Sequence, residues 1–297
     1  MSHVPASPAA AAAADPESLR SHIRSRYAAA AGGASGCCGP APSPNPGARV
    51  GASSCCGGGD VAGEAERVGY DAGSLSAVPE GANLGLGCGN PTALGALQAG
   101  EVVLDLGSGG GIDCFLAARA VGAGGRVIGV DMTPEMIERA RRNAREGGFP
   151  NVEFRLGEIE HLPVADAAVD VVISNCVINL VPDKRAVFAE MRRVLRPGGR
   201  AYLSDIALTA PLPEAVRNHP DAIAGCVGGA LLIEDYRRTV IESGFAVERF
   251  DIRGSQMAEH AERGTTSPDP VAAQAMAVAA AAMALVRSVD IVARKPA

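Results

Sequence analysis

From residue 102 onward, hydrophobic positions arrive in short runs: Val102 to Leu106, Arg126 to Asp131, Val152 to Leu156, Asp170 to Asn175 and Arg200 to Asp205. Each run is too short for a helix, rich in Val, Ile and Leu, and bounded by turn residues, the pattern of strands buried on both faces. Between them the spacing changes to three and four. Val187, Phe188, Met191, Val194 and Leu195 share one face of a helix predicted from about Asp183 to Leu195. Thr133-Pro134-Glu135 starts another, with a cap, a proline in the first turn and an acid for the helix dipole, and Gly147-Gly148 stops it. Arg196-Pro197-Gly198-Gly199 turns the chain into the fifth strand. Strands alternating with helices predict an α/β fold, a doubly wound, mostly parallel sheet with helices on both faces. A helix near Glu234 to Ser243 and two strands near Ala246 to Ile252 and Ser288 to Ala293 follow, the strands separated by an alanine-rich insertion predicted helical from Val271.

Upstream, Leu19, Ile23 and Tyr27 recur at four-residue intervals behind Asp15 and Pro16, which predicts a short helix from Asp15 to Ala31. From Gly32 to Gly59 the chain is mainly Gly, Ala, Ser and Pro, with vicinal pairs Cys37-Cys38 and Cys55-Cys56. Such a segment buries too little apolar area to offset its ordering entropy and is expected to be flexible. The chain thus divides into residues 1–62, a helix and cysteine-bearing segment; 63–206, the sheet core; and 207–297, a small C-terminal extension with a covering segment and the last strands.

A chain of 297 residues, 47% hydrophobic, can bury a full core. Its net charge of −6 and scattered basic residues offer no cationic surface to a phosphate backbone, so no nucleic acid partner is expected. Met1 to Ala14 has no Lys or Arg, unlike a secretory signal. The longest apolar run, Ala275 to Val286, is mostly alanine and shorter than the ~20 residues of a membrane span. The expectation is a cytoplasmic protein without a membrane partner, in which thiols stay reduced and serve as ligands or catalysts. Eight cysteines are too sparse for a disulfide scaffold, and without a Cys-x-x-Cys or His-x-x-x-His pair a structural zinc is not expected.

Asp105-Leu106-Gly107-Ser108-Gly109-Gly110-Gly111 follows the first strand and opens a helix at Ile112, and Asp131 closes the second strand. Backbone at the glycines can approach a ligand, and Asp131 can accept both ribose hydroxyls of a nucleoside. A dinucleotide fingerprint needs a glycine at position 112, which is Ile. The spacing Asp105-x-Gly107-x-Gly109-x-Gly111 resembles the first motif of class I methyltransferases, Rossmann-like proteins that use S-adenosylmethionine and whose last strand is antiparallel. The resemblance implies cofactor contacts from Asp105, Gly107, Ser108, Gly109 and Gly111. It implies a ribose acid at Asp131 with Met132 beside adenine, an adenine edge at Glu158, Ile159 and Glu160, and Asn175 near the methionine end. Asp113 and Asp170 read as solvated helix and strand termini, and Cys114 as a small core hydrophobe.

Three further segments narrow the resemblance: Gly85-Leu86-Gly87-Cys88-Gly89-Asn90-Pro91, Ser174-Asn175-Cys176-Val177-Ile178-Asn179-Leu180 and Gly225-Cys226-Val227-Gly228-Gly229-Ala230. Together they look like arsenite methyltransferase, over roughly residues 64 to 252 and Val289 to Pro296. That resemblance implies that Cys88, Cys176 and Cys226 hold trivalent arsenic as thiolates. It implies arsenite or methylated arsenicals as acceptors and thiol reductants such as thioredoxin or glutathione as partners. Thiolates suit a soft acceptor and leave the arsenic lone pair free to attack a sulfonium methyl, so no acid-base residue is assigned. Some family members carry a fourth cysteine upstream of the first box that forms a disulfide during turnover. Here the nearest candidates, Cys55 and Cys56, lie in the low-complexity run, and arsenic capture, thiol exchange and a spare tail all stay open for them, as does any pairing of Cys88 with Cys176. Two other readings are a small-molecule C- or O-methyltransferase with incidental cysteines and a non-catalytic thiol-based metalloid-binding protein. The intact glycine loop and Asp131 weigh against the second.

Overall fold

The computed structural model describes residues 15–32, 61–255 and 270–297. The segment expected to be flexible, with its two cysteine pairs, and residues 256–269 of the insertion lie outside them. Seven strands form one sheet: β1 (Val102–Leu106), β2 (Arg126–Asp131), β3 (Val152–Leu156), β4 (Val169–Asn175), β5 (Leu195–Leu208), β6 (Ala246–Gly254) and β7 (Val286–Arg294). Their order is β3-β2-β1-β4-β5-β7-β6. β1 to β5 run parallel, and β7 lies antiparallel between β5 and β6. The fifth strand is longer than its hydrophobic run. Leu195 already pairs with Val169 ahead of the glycine turn, and β7 supplies partners as far as Leu208, pairing that no local pattern reveals.

The helices are α1 (Pro16–Ala31), α2 (Val61–Arg67), α3 (Ala72–Ser76), α4 (Ile112–Val121), α5 (Pro134–Glu146), α6 (Lys184–Val194), α7 (Glu214–Arg217), α8 (Pro220–Ala224), α9 (Ile233–Glu242) and α10 (Pro270–Ala284). On one face of the sheet, Val103, Val127, Val171 and Ile173 pack with Phe115 and Ile137 of α4 and α5. On the other, Leu104, Leu106, Ile128, Val130 and Val172 pack with Phe188 and Met191 of α6 and Tyr236 of α9. Burial on both faces is why the strands read as continuous apolar runs. Among the described residues no helix is long and apolar enough to cross a membrane.

The winding direction reverses between β1 and β4, which opens a crevice at their C-terminal ends. A third apolar cluster closes over it. Leu19 and Ile23 of α1 pack there with Cys176, Leu180, Ile206, Leu208, Cys226 and Val286. Ile23 is fully buried, which stabilises the docked helix by about 1.5–3 kcal/mol.

Candidate active site

The glycine loop leaves β1 toward the end of β2. Gly107 and Ser108 donate their N–H groups to the Val130 carbonyl at 2.8 and 3.0 Å, and Gly109 N–H reaches Asp131 Oδ2 at 3.0 Å. Gly107 has φ of 68°, and a Cβ there would lie 2.6 Å from Val177 Cγ2, so a side chain is excluded twice over. Asp131 Oδ1 accepts from Thr133 N–H at 2.8 Å, and its carbonyl accepts from Gly157 N–H at 3.0 Å. The glycine loop, the expected ribose acid and the Gly157–Glu160 segment are therefore tied together. Ser108 is buried, and its Oγ has no partner among the described residues. A buried hydroxyl left unpaired is costly unless a ligand group satisfies it. A Cβ at Gly109 would meet nothing within 4 Å, so the loop has both the room and the unpaired polar group that a nucleoside cofactor fits.

Other expected cofactor residues are more varied in their surroundings. Met132 packs on the third apolar cluster, and Ile159 is buried in the core. Glu160 and Glu158 face Arg20 of α1 at 3.4 and 3.8 Å, a basic partner that nothing local to either segment signals. Asp105 lies behind the loop and accepts from Cys114 Sγ at 3.2 Å, so Cys114 is more than a core hydrophobe. Burial, reinforced by the charge of Asp113, pushes the Asp105 carboxyl well above the usual carboxylate range.

Asp113 departs from its expected place as a solvated terminus: it is 4% exposed. It sits in the first turn of α4, where Tyr70 Oη donates to Oδ1 at 2.7 Å and Asn175 Nδ2 to Oδ2 at 3.2 Å. Burial pushes its carboxyl up to about 6, against the pull of those two hydrogen bonds. Asn175 in turn clasps the Cys88 loop: Oδ1 accepts from Cys88 N–H at 3.0 Å, and Nδ2 donates to the Gly89 carbonyl at 2.8 Å. Asp170 stays close to expectation as a strand-end acid, pairing with Arg196 at 2.6 Å and accepting from Val102 N–H at 2.8 Å.

Cys88, Cys176 and Cys226 meet. Cys88 and Cys176 form a disulfide with Cα atoms 5.6 Å apart, and Cys226 Sγ donates to the Cys176 carbonyl at 2.9 Å. Cys176 and Cys226 have φ of 58° and 67°, a left-handed backbone that side-chain-bearing residues rarely adopt. Such strain persists where surrounding structure enforces it, commonly at functional sites. Here Cys176 N–H is held by the Ser204 carbonyl at 2.9 Å, and Cys226 N–H by that of Ile223 at 2.8 Å. Gly229 lets the Cys226 loop close on the segment after Cys176, because a Cβ there would overlap the Asn179 carbonyl oxygen. Burial, with the Asp205 charge, pushes the Cys226 thiol up to about 12. Burial thus favours the protonated thiol over the thiolate at neutral pH in this structure.

Asp205 anchors the segment that supports both loops. Its Oδ1 accepts from Asn179 Nδ2 and Ile206 N–H, each at 2.8 Å, and its Oδ2 from Tyr236 Oη at 3.0 Å. Burial raises this carboxyl from the ordinary 3.8 to about 6. Between those values the folded chain holds a proton that the unfolded chain has released, so the group's contribution to stability is full below the lower value and is lost as pH rises through the upper one. Asp205→Asn removes that slope. Relative to the parent, the variant is expected to gain on the order of 3 kcal/mol between about pH 4 and pH 7, read from urea midpoints at the two values. A difference between the two proteins that does not move with pH would contradict it.

The sequence missed three contributors: Arg20 and Tyr27 of α1, and Tyr70. The four-residue spacing of Leu19, Ile23 and Tyr27 marks a helix but not its dock, and Tyr70 stands in no motif.

A family model described as a methyltransferase domain matches residues 97–244. The chain is 54% identical over 236 residues to an arsenite methyltransferase of Halobacterium salinarum, covering 79% of this chain and 59% of that one. It is 42% identical over 156 residues to human arsenite methyltransferase, covering 50% of this chain and 42% of the human protein. The chain thus spans about half of the length of these curated relatives. Among solved structures, it is similar to the crystal structure of an arsenic(III) S-adenosylmethionine methyltransferase from Chlamydomonas reinhardtii, with 33% identity and a TM-score of 0.55, covering 79% of this chain and 73% of that one.

Proposed function

The chain belongs to the arsenite methyltransferase family of the class I S-adenosylmethionine-dependent methyltransferases, and on that premise we propose that it moves methyl groups from S-adenosylmethionine to trivalent arsenic, with arsenite or a methylated arsenical as acceptor. The observation that carries this reading is the meeting of Cys88, Cys176 and Cys226 beside the glycine loop, two of them on strained backbone. A methyltransferase acting on carbon or oxygen has no use for three thiols at one point.

S-Adenosylmethionine supplies an electrophilic methyl group on a sulfonium centre. The glycine loop, Ser108, Asp131, Met132 and the Glu158–Glu160 segment are the groups assigned to hold it, with Asn175 at its methionine end. The thiols take arsenic by exchange. Each S–As bond forms as an As–O bond breaks, and the thiol proton leaves with the hydroxyl as water. No general base is required, which suits a Cys226 that is protonated beforehand. Three sulfurs leave the arsenic lone pair free to form the As–C bond, so the chain's work is alignment and exclusion of water.

Methyl transfer formally oxidises arsenic by two electrons. Two thiolates joining as one disulfide return two electrons, and Cys88 and Cys176 are a pair already within bonding reach. A thiol reductant of the thioredoxin or glutathione class then reopens the bond, a cycle suited to a reducing cytoplasm. Incubation with arsenite, S-adenosylmethionine and reductant is expected to yield methylated arsenic, with one S-adenosylhomocysteine for each methyl group added, read by chromatography with elemental detection. Arsenic that binds and is never methylated would contradict the proposal.

A further inference from the structure

α1 reaches both halves of the site although it lies outside the stretch that matches the methyltransferase domain. On the cofactor side, Arg20 faces Glu158 and Glu160. On the acceptor side, His22 Nε2 lies 2.9 Å from Asp221 Oδ1, and Arg26 donates to the Asp221 carbonyl at 3.3 Å. Between these anchors, Leu19 and Ile23 are buried in the cluster that contains Cys176 and Cys226. At the far end of the helix, Arg139 Nη1 donates to the Ala31 carbonyl at 2.7 Å.

Tyr27 is the polar residue that this helix packs against the cluster holding the thiols. Its Oη donates to the Ala224 carbonyl at 3.4 Å, two residues before Cys226, and its ring packs against the cluster that holds that thiol. A phenol has one hydrogen to give. While Cys226 is a thiol, its own hydrogen goes to the Cys176 carbonyl, and that of Tyr27 is spent on a long bond to Ala224. Replacing the thiol hydrogen with arsenic leaves a sulfur that can only accept. Tyr27, beside Ala224 and packed against the same cluster, is then a hydrogen-bond donor at hand for it.

We infer that Tyr27 is a positioning residue for the third thiol: its hydroxyl turns from Ala224 to the Cys226 sulfur when arsenic binds, fixing the direction of that S–As bond while α1 closes the acceptor side. The inference rests on the arsenite reading and adds a residue from outside the methyltransferase domain to the acceptor site.

The test is Tyr27→Phe, which keeps the ring in its packing and removes only the hydroxyl. The reduced variant is expected to keep the parent's melting temperature and its affinity for S-adenosylmethionine. It should release arsenite about tenfold faster into excess competing dithiol, the scale of one hydrogen bond to a charged or strongly polarised acceptor. A hydrogen bond to sulfur lowers the energy of its lone pair, so the near-ultraviolet sulfur-to-arsenic absorption band should move to longer wavelength in the variant, a change that looser packing alone does not cause. A parent that binds arsenite with a variant identical in release rate and band position overturns this inference alone. A parent whose thiols take no arsenite overturns the functional reading, and the inference falls with it.

Discussion

Cys176→Ser is expected to lower methyl transfer to arsenite by at least about 10²-fold while leaving S-adenosylmethionine binding within a few-fold of the parent. Three thiols on one rigid surface act as a single polydentate ligand, and removing one arm of a multivalent contact forfeits about 10²–10⁴ in avidity. A serine hydroxyl is a hard oxygen donor that competes poorly for a soft acceptor and exchanges freely with water. The cofactor side should be spared. Asn175 holds the Cys88 loop through its own side chain, and the glycine loop is fixed by Val130 and Asp131, so none of these hydrogen bonds runs through the Cys176 sulfur. Equilibrium binding of the cofactor together with arsenic speciation separates the two effects. A serine variant with near-parental turnover would mean that the thiols are bystanders.

Protein in which the Cys88–Cys176 bond is closed is expected to bind no arsenite at this site and to methylate none until a dithiol is added. The disulfide consumes two of the three ligands, and Cys226 alone, protonated and donating to the Cys176 carbonyl, cannot retain arsenic against water. Full recovery on reduction should follow the appearance of two additional titratable thiols per chain. Gel filtration with elemental analysis of bound arsenic, run beside a thiol count, measures both. Oxidised protein that turns over at a substantial fraction of the reduced rate would place the acceptor elsewhere.

Much of the scaffold was legible because it is written locally. Thr133-Pro134-Glu135 begins α5 within a residue of where the spacing put it, and five apolar runs became five parallel strands. The glycine loop carries its own explanation, since Gly107 needs a backbone that only glycine readily takes. What was not legible depends on partners far along the chain. β5 reaches Leu208 because β7 is there to pair with it. Asp113 was read as solvated because a single acid in the first turn of a helix commonly is; its burial requires Tyr70, 43 residues upstream, and Asn175, 62 residues downstream.

The site shows the same division. The boxes around Cys88, Cys176 and Cys226 suggest thiols near bending backbone, but their convergence is a property of the folded chain. So are the left-handed conformations of Cys176 and Cys226, which a sequence reader would assign to glycine by default. The role of α1 was hidden for a related reason. Its apolar spacing is that of any amphipathic helix, and only docking shows that Arg20 meets Glu158 and Glu160 while Tyr27 reaches the Ala224 carbonyl beside the Cys226 loop.

Arsenic methylation at the three thiols is tested by a single turnover of fully reduced protein holding one arsenite per chain, mixed with methyl-labelled S-adenosylmethionine and no added thiol. Label is expected on arsenic at up to one equivalent per chain, with the Cys88–Cys176 disulfide appearing at the rate of methyl transfer or later. Label found on the protein or on an organic acceptor, or methylarsenic formed equally by chains lacking Cys176, would contradict it.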